Sequence, residues 1–450
     1  MAAIDHSGPA KHVATTGEFF CNTVRACDEA WRGARRNHGR DHGGESNFFR
    51  EAQFSADGTS IVAQSEDHCL RTFVLPTDLL DEEKQPHTLK AFSTGPAAGN
   101  IHAFATHPGF DLSNPSTTLV LSAVGDQPIT MTNALDYSAL YASYPSVNPA
   151  TELYMPSNSL AFTRDGNHFV AGSVNEIAIF DTWRNGEGPV AKHKTADSRK
   201  VRRLYGSASM SCKGRISALA ISGDGILAAG STEREIALYD HEGHGECLTA
   251  FSVARQLDGE QVSGTGVSSL RWSPCNRYLI IAERQSDYIQ IFDVRNTLQR
   301  VSTLTGREAN TTQKLGIDVV PTIDGSQVWA GGTDGVVKMW ENPGLAAGDQ
   351  KPQREMKLRK DPISSATWHP RGWVFATTSG HRFPNPNLWF EDSSSEDDES
   401  DSTSESSSGS SSSAVGAAGP DNKLDVWVME SISQNDGVEL TPQMPYTASQ

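Results

Sequence analysis

The chain has 450 residues, 37% of them apolar and 21% charged, with 55 acidic against 38 basic side chains and a formal net charge of −17. That length suits two or three ordinary domains or one large repeat architecture. The acid excess argues against a protein that coats DNA with its whole surface. No apolar run approaches the ~20 residues of a membrane-spanning helix. The six cysteines stand singly, so neither a metal knuckle nor a disulfide framework is expected, and free thiols in a reducing compartment are.

Residues 1–46 open the chain with "MAAIDHSGPAKHVATTGEFF", which lacks a basic-then-apolar signal pattern, so secretion is not expected. Within this segment "TGEFFCNTV" (16–24) reads as a lone strand. "WRGARRNHGRDHGGES" (31–46) reads as a polar loop carrying Arg32, Arg35, Arg36 and Arg40. Such a run can meet phosphates or act as a nuclear-import patch, and it suits a solvated loop equally well.

From residue 47 onward a repeat emerges. Its turn reads "FSADG" at Phe54, "FATHPG" at Phe104, "FTRDG" at Phe162, "ISGDG" at Ile221, "WSPCN" at Trp272, "PTIDG" at Pro321 and "WHPRG" at Trp368. The successive intervals are 50, 58, 59, 51, 49 and 47 residues. Asp-Gly, or Pro followed by a small residue, reverses the chain between two strands, because Gly accepts positive φ and Pro presets φ. A third strand then closes on an aromatic and an acid: Phe180-Asp181, Tyr239-Asp240, Phe292-Asp293 and Trp340-Glu341. These stand at the Trp-Asp position of a WD40 blade, and the strands alternate as a two-sided blade requires. The pattern predicts an all-β, seven-bladed WD40 propeller over residues 47–430, with a tail at 431–450. Two stacked β-sandwiches would not repeat that dipeptide at one offset.

Blade 7 begins with "ISSATWHPRGWVFATTSGHRFPNP" (363–386), but its third strand is delayed to "NKLDVWVME" (422–430), where Trp427 matches Trp340 and Phe292. Residues 387–421 are therefore an acidic, Ser-rich insertion, expected to be disordered because uniform charge and low hydropathy cannot offset the ordering entropy. Its stretch 391–413 holds eight carboxylates and no cation, leaving −17 + 8 = −9 for the rest of the chain. Ser393, Ser394, Ser395 and Ser402 each have an acid three positions on and are candidate phosphorylation sites for an acidophilic kinase. Ring closure usually borrows a strand from the other terminus, and 16–24 is the candidate.

In such blades the turns between second and third strands share one face with the connections between blades. That face would gather Lys213, Arg215, Arg234, Arg284, Lys314, Arg359, Lys360, His381 and Arg382 into a basic rim. Alternatively these residues pair with their acidic neighbours Glu233, Glu235, Glu283 and Asp287, and composition alone favours that reading. His241 and His244 lie just after a strand with no third ligand in sight, so a turn is expected rather than a metal site. No GxSxG, Walker A loop or strand-to-helix GxGxxG occurs. Neither an enzyme, nor a cofactor, nor a small-molecule substrate is expected.

"NFFREAQFSADGTSIVAQSEDHCLRTFVLP" (47–76), "SAVGDQPITMTNALDYSALYASY", "NSLAFTRDG" and above all "WHPRGWVFATTSGHRFPNP" (368–386) with its acidic insertion and "LDVWV" resemble the telomerase Cajal body protein family. The resemblance covers roughly 47–386 and 422–430. It implies a non-enzymatic nuclear scaffold, with cytoplasmic residence left open. Its partners would be small nuclear or Cajal-body-type RNA and ribonucleoprotein proteins, with no membrane, in a monomeric state. Animal members bind a short box in an RNA hairpin loop, whereas fungal relatives are tied to spliceosomal particles. The chain shows no long Pro-rich acidic N-terminal region and has its own Arg-rich loop, which points to the fungal-type branch. RNA would then lie across the rim, with Arg234, Arg284, His381, Arg382, Lys213, Arg215 and Lys314 as contacts and Phe383 as a stacking platform. The alternative is a protein-interaction scaffold with no RNA contact. A G-protein β-like subunit would want an N-terminal coiled coil, and residues 1–46 show no heptads. Deleting residues 391–413 is expected to leave the fold intact and tighten RNA binding at low salt, as read by mobility shift. Looser binding or an unfolded product would contradict this.

Overall fold

The structure, a computed structural model, describes residues 8–17, 47–148, 151–196, 211–254, 262–297, 299–372, 374–380 and 422–429. Strands form seven antiparallel sheets in chain order, the seven blades of a β-propeller. Blade 1 runs from its inner strand Phe49–Phe54 through Ser60–Ser65 and Cys69–Val74 to the outer strand Ser93–Pro96. The inner strands of blades 2 to 6 are Ile101–Thr106, Ser159–Phe162, Ile216–Ile221, Val267–Trp272 and Ile317–Thr322. Each inner strand touches those of both neighbours, and the circle closes between blades 7 and 1. Short parallel strands extend two outer edges: His87–Thr88 on blade 7 and Gly348–Gln350 on blade 5. No helix among the described residues is long and apolar enough to cross a membrane.

The core lies between blades, because each sheet is apolar on both faces. Trp329 of blade 6 meets Trp368 of blade 7 at 4.8 Å between ring centroids, and Trp368 stacks on Phe375 at 5.0 Å. Between blades 2 and 3, Tyr144 lies 4.9 Å from Phe169, which stacks on Phe180 at the same separation. Each such ring removes enough apolar surface from water to stabilise the fold by about 1.5–3 kcal/mol.

The repeated turn has a reason beyond chain reversal. Gly58 of "FSADG" has φ +77°, and a Cβ there would fall 2.0 Å from Nε2 of His369 in the blade 7 turn "WHPRG". His107 of "FATHPG" approaches Gly166 of "FTRDG" in the same way. His-Pro turns and Asp-Gly turns of adjacent blades thus interlock, with the imidazole lying against bare backbone.

Blade 7 contains Ile363–Trp368, Val374–Ser379, Leu424–Met429 and, as its outer strand, Ala10–Thr15. The delayed third strand is where the sequence placed it. The closing strand is not: it pairs Ala10 with Met429 and Thr15 with Asp425, whereas 16–24 was expected. Of the expected stretch only Thr16 and Gly17 are described, and Thr16 caps the last rung by donating its N–H to the Leu424 carbonyl at 2.9 Å. The segment "AKHVAT" looks too polar for a strand, but Val13 and Ala14 are fully buried while His12 and Lys11 serve as partners.

His12 is one arm of a clamp. Asp425, fully buried on the third strand, takes His12 Nε2 at 2.9 Å and Arg359 Nε at 2.7 Å. The Arg359 guanidinium lies over the Trp427 ring at 5.2 Å, and the Trp427 indole donates to Thr377 Oγ1 at 2.9 Å. Burial would raise the Asp425 carboxyl, but the His12 hydrogen bond and the Arg359 charge outweigh it and hold it below the ordinary 3.8. Asp425→Ala, which leaves a buried guanidinium unpaired, is expected to cost about 3–5 kcal/mol, measured by urea unfolding. Because the folded value is depressed, the carboxyl's contribution is complete above pH 3.8 and disappears as the pH falls through that lower value. The difference between wild type and Asp425→Ala should therefore shrink in acid.

Candidate nucleic-acid interface

Strict antiparallel order sends the turn between second and third strands and the connection between blades out of the same end of the ring. The inner strands surround the central channel, so residues at their beginnings stand at the channel mouth on this end. The sequence-predicted rim residues within the described segments all belong to this end, yet they do different things there.

Arg234, at φ +62° in the blade 4 turn, reaches across to blade 5. It grips Glu283 with Nε at 2.7 Å and Nη2 at 2.8 Å, and also donates to the Val262 carbonyl at 2.8 Å. Glu283 is buried and takes a further hydrogen bond from Gln290 at 2.9 Å. Burial raises its carboxyl above the ordinary value against the pull of Arg234. This pair rivets blade 4 to blade 5, and Arg234 is engaged by Glu283, one of the acidic neighbours the sequence offered it. Lys314 is also engaged, with Nζ 2.7 Å from Glu51 of blade 1.

Arg215 and Arg284 are different. Arg215 is exposed just before the blade 4 inner strand, and no carboxylate pairs with it among the described residues. Arg284, in the blade 5 turn, is half-buried, and its guanidinium donates to the Thr312 carbonyl. Burial, then the charges of Arg215 and Arg50, push its guanidinium below its ordinary value. Lys213 is exposed, and its backbone N–H donates to Glu235 at 2.6 Å. His381, Arg382, Phe383 and the candidate phosphorylation sites Ser393, Ser394, Ser395 and Ser402 lie outside the described residues, as do Arg32, Arg35, Arg36 and Arg40.

Sequence reasoning missed Arg50 and His102, near the beginnings of the first two inner strands. Arg359 counted as a rim cation but belongs to the Asp425 clamp. Arg307 is buried with its guanidinium lowered to about 10, first by burial and opposed by Asp287 and Asp334, and it donates to the Gly331 carbonyl at 2.9 Å. A further signal was legible and unused: the connection between blades 3 and 4 carries Arg199, Lys200, Arg202 and Arg203, all outside the described residues.

Chemistry elsewhere is sparse. His241 opens a short 3₁₀ turn and His244 packs edge-on to His168 at 4.7 Å, as the turn reading predicts. Among the described residues no group of three or more His, Cys, Asp or Glu side chains is arranged to hold a metal ion. Cys69, Cys212, Cys247 and Cys275 are free thiols, and burial pushes Cys212 up to about 12, which leaves it unreactive.

No family model matches the sequence. Individual proteins do. Telomerase Cajal body protein 1 of Homo sapiens is 27% identical over 346 residues, covering 76% of this chain and 58% of that protein. The bovine protein of the same name is 27% identical over 349 residues. The chain is homologous to the telomerase Cajal body proteins. It spans about three fifths of the length of these relatives. Two fungal proteins are also similar. The guanine nucleotide-binding protein negative regulator 1 of Schizosaccharomyces pombe is 28% identical over 304 residues, covering 66% of this chain and 72% of that protein. Protein SWT21 of Kluyveromyces lactis is 24% identical over 258 residues, covering 56% and 59%. The resemblance read from "WHPRGWVFATTSGHRFPNP" and its companions is thus borne out.

Arg234→Ala, which strands the Glu283 carboxylate between blades, is expected to destabilise by about 3 kcal/mol or more. Adding Glu283→Gln should return most of that loss. Denaturant midpoints of the two variants test it, and equal midpoints would mean that the pair is not a rivet.

Proposed function

We propose that the protein is a non-enzymatic propeller scaffold that binds small structured RNA at the channel mouth and serves ribonucleoprotein assembly in the nucleus. The observation that carries this reading is the pair Arg215 and Arg284, both at the channel-mouth end of an acidic protein and with no carboxylate partner among the described residues. Single-stranded RNA loops offer phosphates to such guanidiniums and splayed bases to nearby side chains. Kinship with the telomerase Cajal body proteins supports an RNA or ribonucleoprotein partner and a nuclear, Cajal-body-like location. Similarity to fungal proteins keeps the fungal-type role in pre-mRNA splicing open beside a telomerase role.

A second reading rests on the Schizosaccharomyces pombe relative, whose name describes a regulator of a guanine nucleotide-binding protein. On it, the rim grips protein and never touches RNA. Crosslinking in extract, stringent washing and sequencing of co-purified RNA separates the two. A defined small RNA supports the first reading, and background RNA with a stoichiometric protein partner supports the second. In a salt series, Arg215→Ala and Arg284→Ala are each expected to weaken RNA binding and to lower the slope of log K against log salt by about 1. An unchanged slope would remove both residues from the interface.

A further inference from the structure

The inner strands of five blades carry a β-bulge at the channel-mouth end, one extra residue set against the second strand. The extra residues are Arg50, His102, Ser217, Ser268 and Ser364. A bulge re-aims its extra side chain. In three blades that side chain is a serine with a structural task. Ser217 donates to the Val267 carbonyl at 2.6 Å, Ser268 to the Ala282 carbonyl at 3.2 Å and Ser364 to the Phe49 carbonyl at 2.9 Å. Blades 1 and 2 give the same place to an arginine and a histidine, which the stitching of strands does not require.

Both side chains are placed with care. Arg50 is held along one edge by Glu66, with Nε 2.5 Å from Oε2, and by Asn100, with Nη1 2.9 Å from Oδ1, so its guanidinium points in a fixed direction. His102 stands over the blade 2 turn, close enough that a Cβ on Gly125 would lie 3.1 Å from its Nε2. Arg215 and Arg284 arrive from blades 4 and 5. The four groups feel one another: burial lowers His102, then Arg215 and Arg50 lower it further, and Asp126 alone opposes. Glu66 meets Arg50, Asp126 acts on His102, and Glu233 lies against Gly214 beside Arg215, against three guanidiniums and an imidazole.

Other cations of the inner strands and their connections are paired, since Glu51 meets Lys314 at 2.7 Å and Asp318 meets Arg271 at 3.6 Å. Among the described residues Lys314 and Arg271 thus have carboxylate partners, whereas Arg215 and Arg284 have none. A compact polyanion is what such an excess suits, because guanidinium forks fit phosphate oxygens two at a time.

We infer that Arg50, His102, Arg215 and Arg284 form a phosphoryl site at the channel mouth, seated near the propeller axis. This deepens the RNA reading above and rests on it for the source of the phosphate, which is either an RNA backbone or a small free polyphosphate.

The test uses the full chain and pyrophosphate as probe, followed by calorimetry at low salt, with a labelled RNA hairpin in a second arm. Arg50→Gln, His102→Gln and Arg284→Ala are each expected to weaken pyrophosphate binding at least tenfold. Arg295→Gln, which breaks an exposed pair with Asp293 at the opposite end of blade 5, is expected to leave it unchanged. Should Arg50→Gln fail to fold, the His102→Gln variant carries the test alone. Pyrophosphate should also displace the hairpin from wild type. Equal pyrophosphate affinity in wild type and the mouth variants, or no binding at all, overturns the site. If the mouth variants lose pyrophosphate but wild type never holds RNA, the phosphoryl site stands and the RNA reading falls. If the variants lose pyrophosphate yet hold RNA as wild type does, the site takes a small free polyphosphate and RNA binds elsewhere.

Discussion

Everything in this molecule depends on the ring being closed through blade 7. A propeller blade cannot hide its own apolar faces, so each sheet is stable only when flanked by two others. Seven sheets in a row leave two raw faces unless the first meets the last. The meeting is made by six N-terminal residues that pair with a strand some 410 positions away, Ala10 opposite Met429. Loop-closure entropy rises only slowly with the length enclosed, so so distant a pairing is affordable once the interfaces are good. Asp425 concentrates that interface: one buried carboxylate binds the N-terminal strand through His12 and the blade 6 connection through Arg359. The channel mouth inherits its geometry from this closure, since residues of blades 1, 2, 4 and 5 converge there only when all seven inner strands hold their angular places.

Electrostatics then divides the cations into two populations. Arg234, Lys314 and Arg359 reach Glu283, Glu51 and Asp425 and are spent on holding blades together. Among the described residues, Arg215 and Arg284 remain at the mouth without such partners. On a chain with net charge −17 this local excess is steep in contrast, and a concave opening with low-dielectric walls focuses it. An anion approaching along the axis would meet repulsion over most of the surface and attraction at one place.

How much of this the sequence carried depended on the range of the interaction. Turns are local, so "FSADG" and "WHPRG" predicted seven blades, and the delayed Trp427 placed the third strand of blade 7. The aromatic-acid ends Phe180-Asp181 and Trp340-Glu341 fall at the ends of third strands as read. The closing strand was misplaced because burial there is decided by the partner: "AKHVAT" becomes a strand only against Leu424–Met429, while the Phe-Phe of 16–24 drew the eye. The site was legible as a face but not as a division of labour. Whether a basic residue is paired depends on an acid in the next blade, about 50 residues away, as with Arg234 and Glu283. Arg50 and His102 escaped notice because a bulge leaves no mark in a periodic pattern.

The acidic insertion shows why such a mouth can coexist with a strongly negative protein. Its two anchors are fixed by the fold: Gly380 donates to the Pro362 carbonyl at 2.9 Å, and Ser379 donates to the Lys423 carbonyl at 2.8 Å. Blade 7 therefore sets its register before the insertion begins and resumes it after, and the length between the anchors adds little entropic cost. Both anchors lie at the end of the ring that bears the mouth, because this is a turn between second and third strands. Eight carboxylates tethered there are a local reservoir of competing anion that no dilution removes. Weak, scattered phosphate contacts would lose to that reservoir. A ligand that presents its phosphates in the arrangement of the guanidiniums would win, so an acidic tract is compatible with the proposed nucleic-acid reading rather than an argument against it.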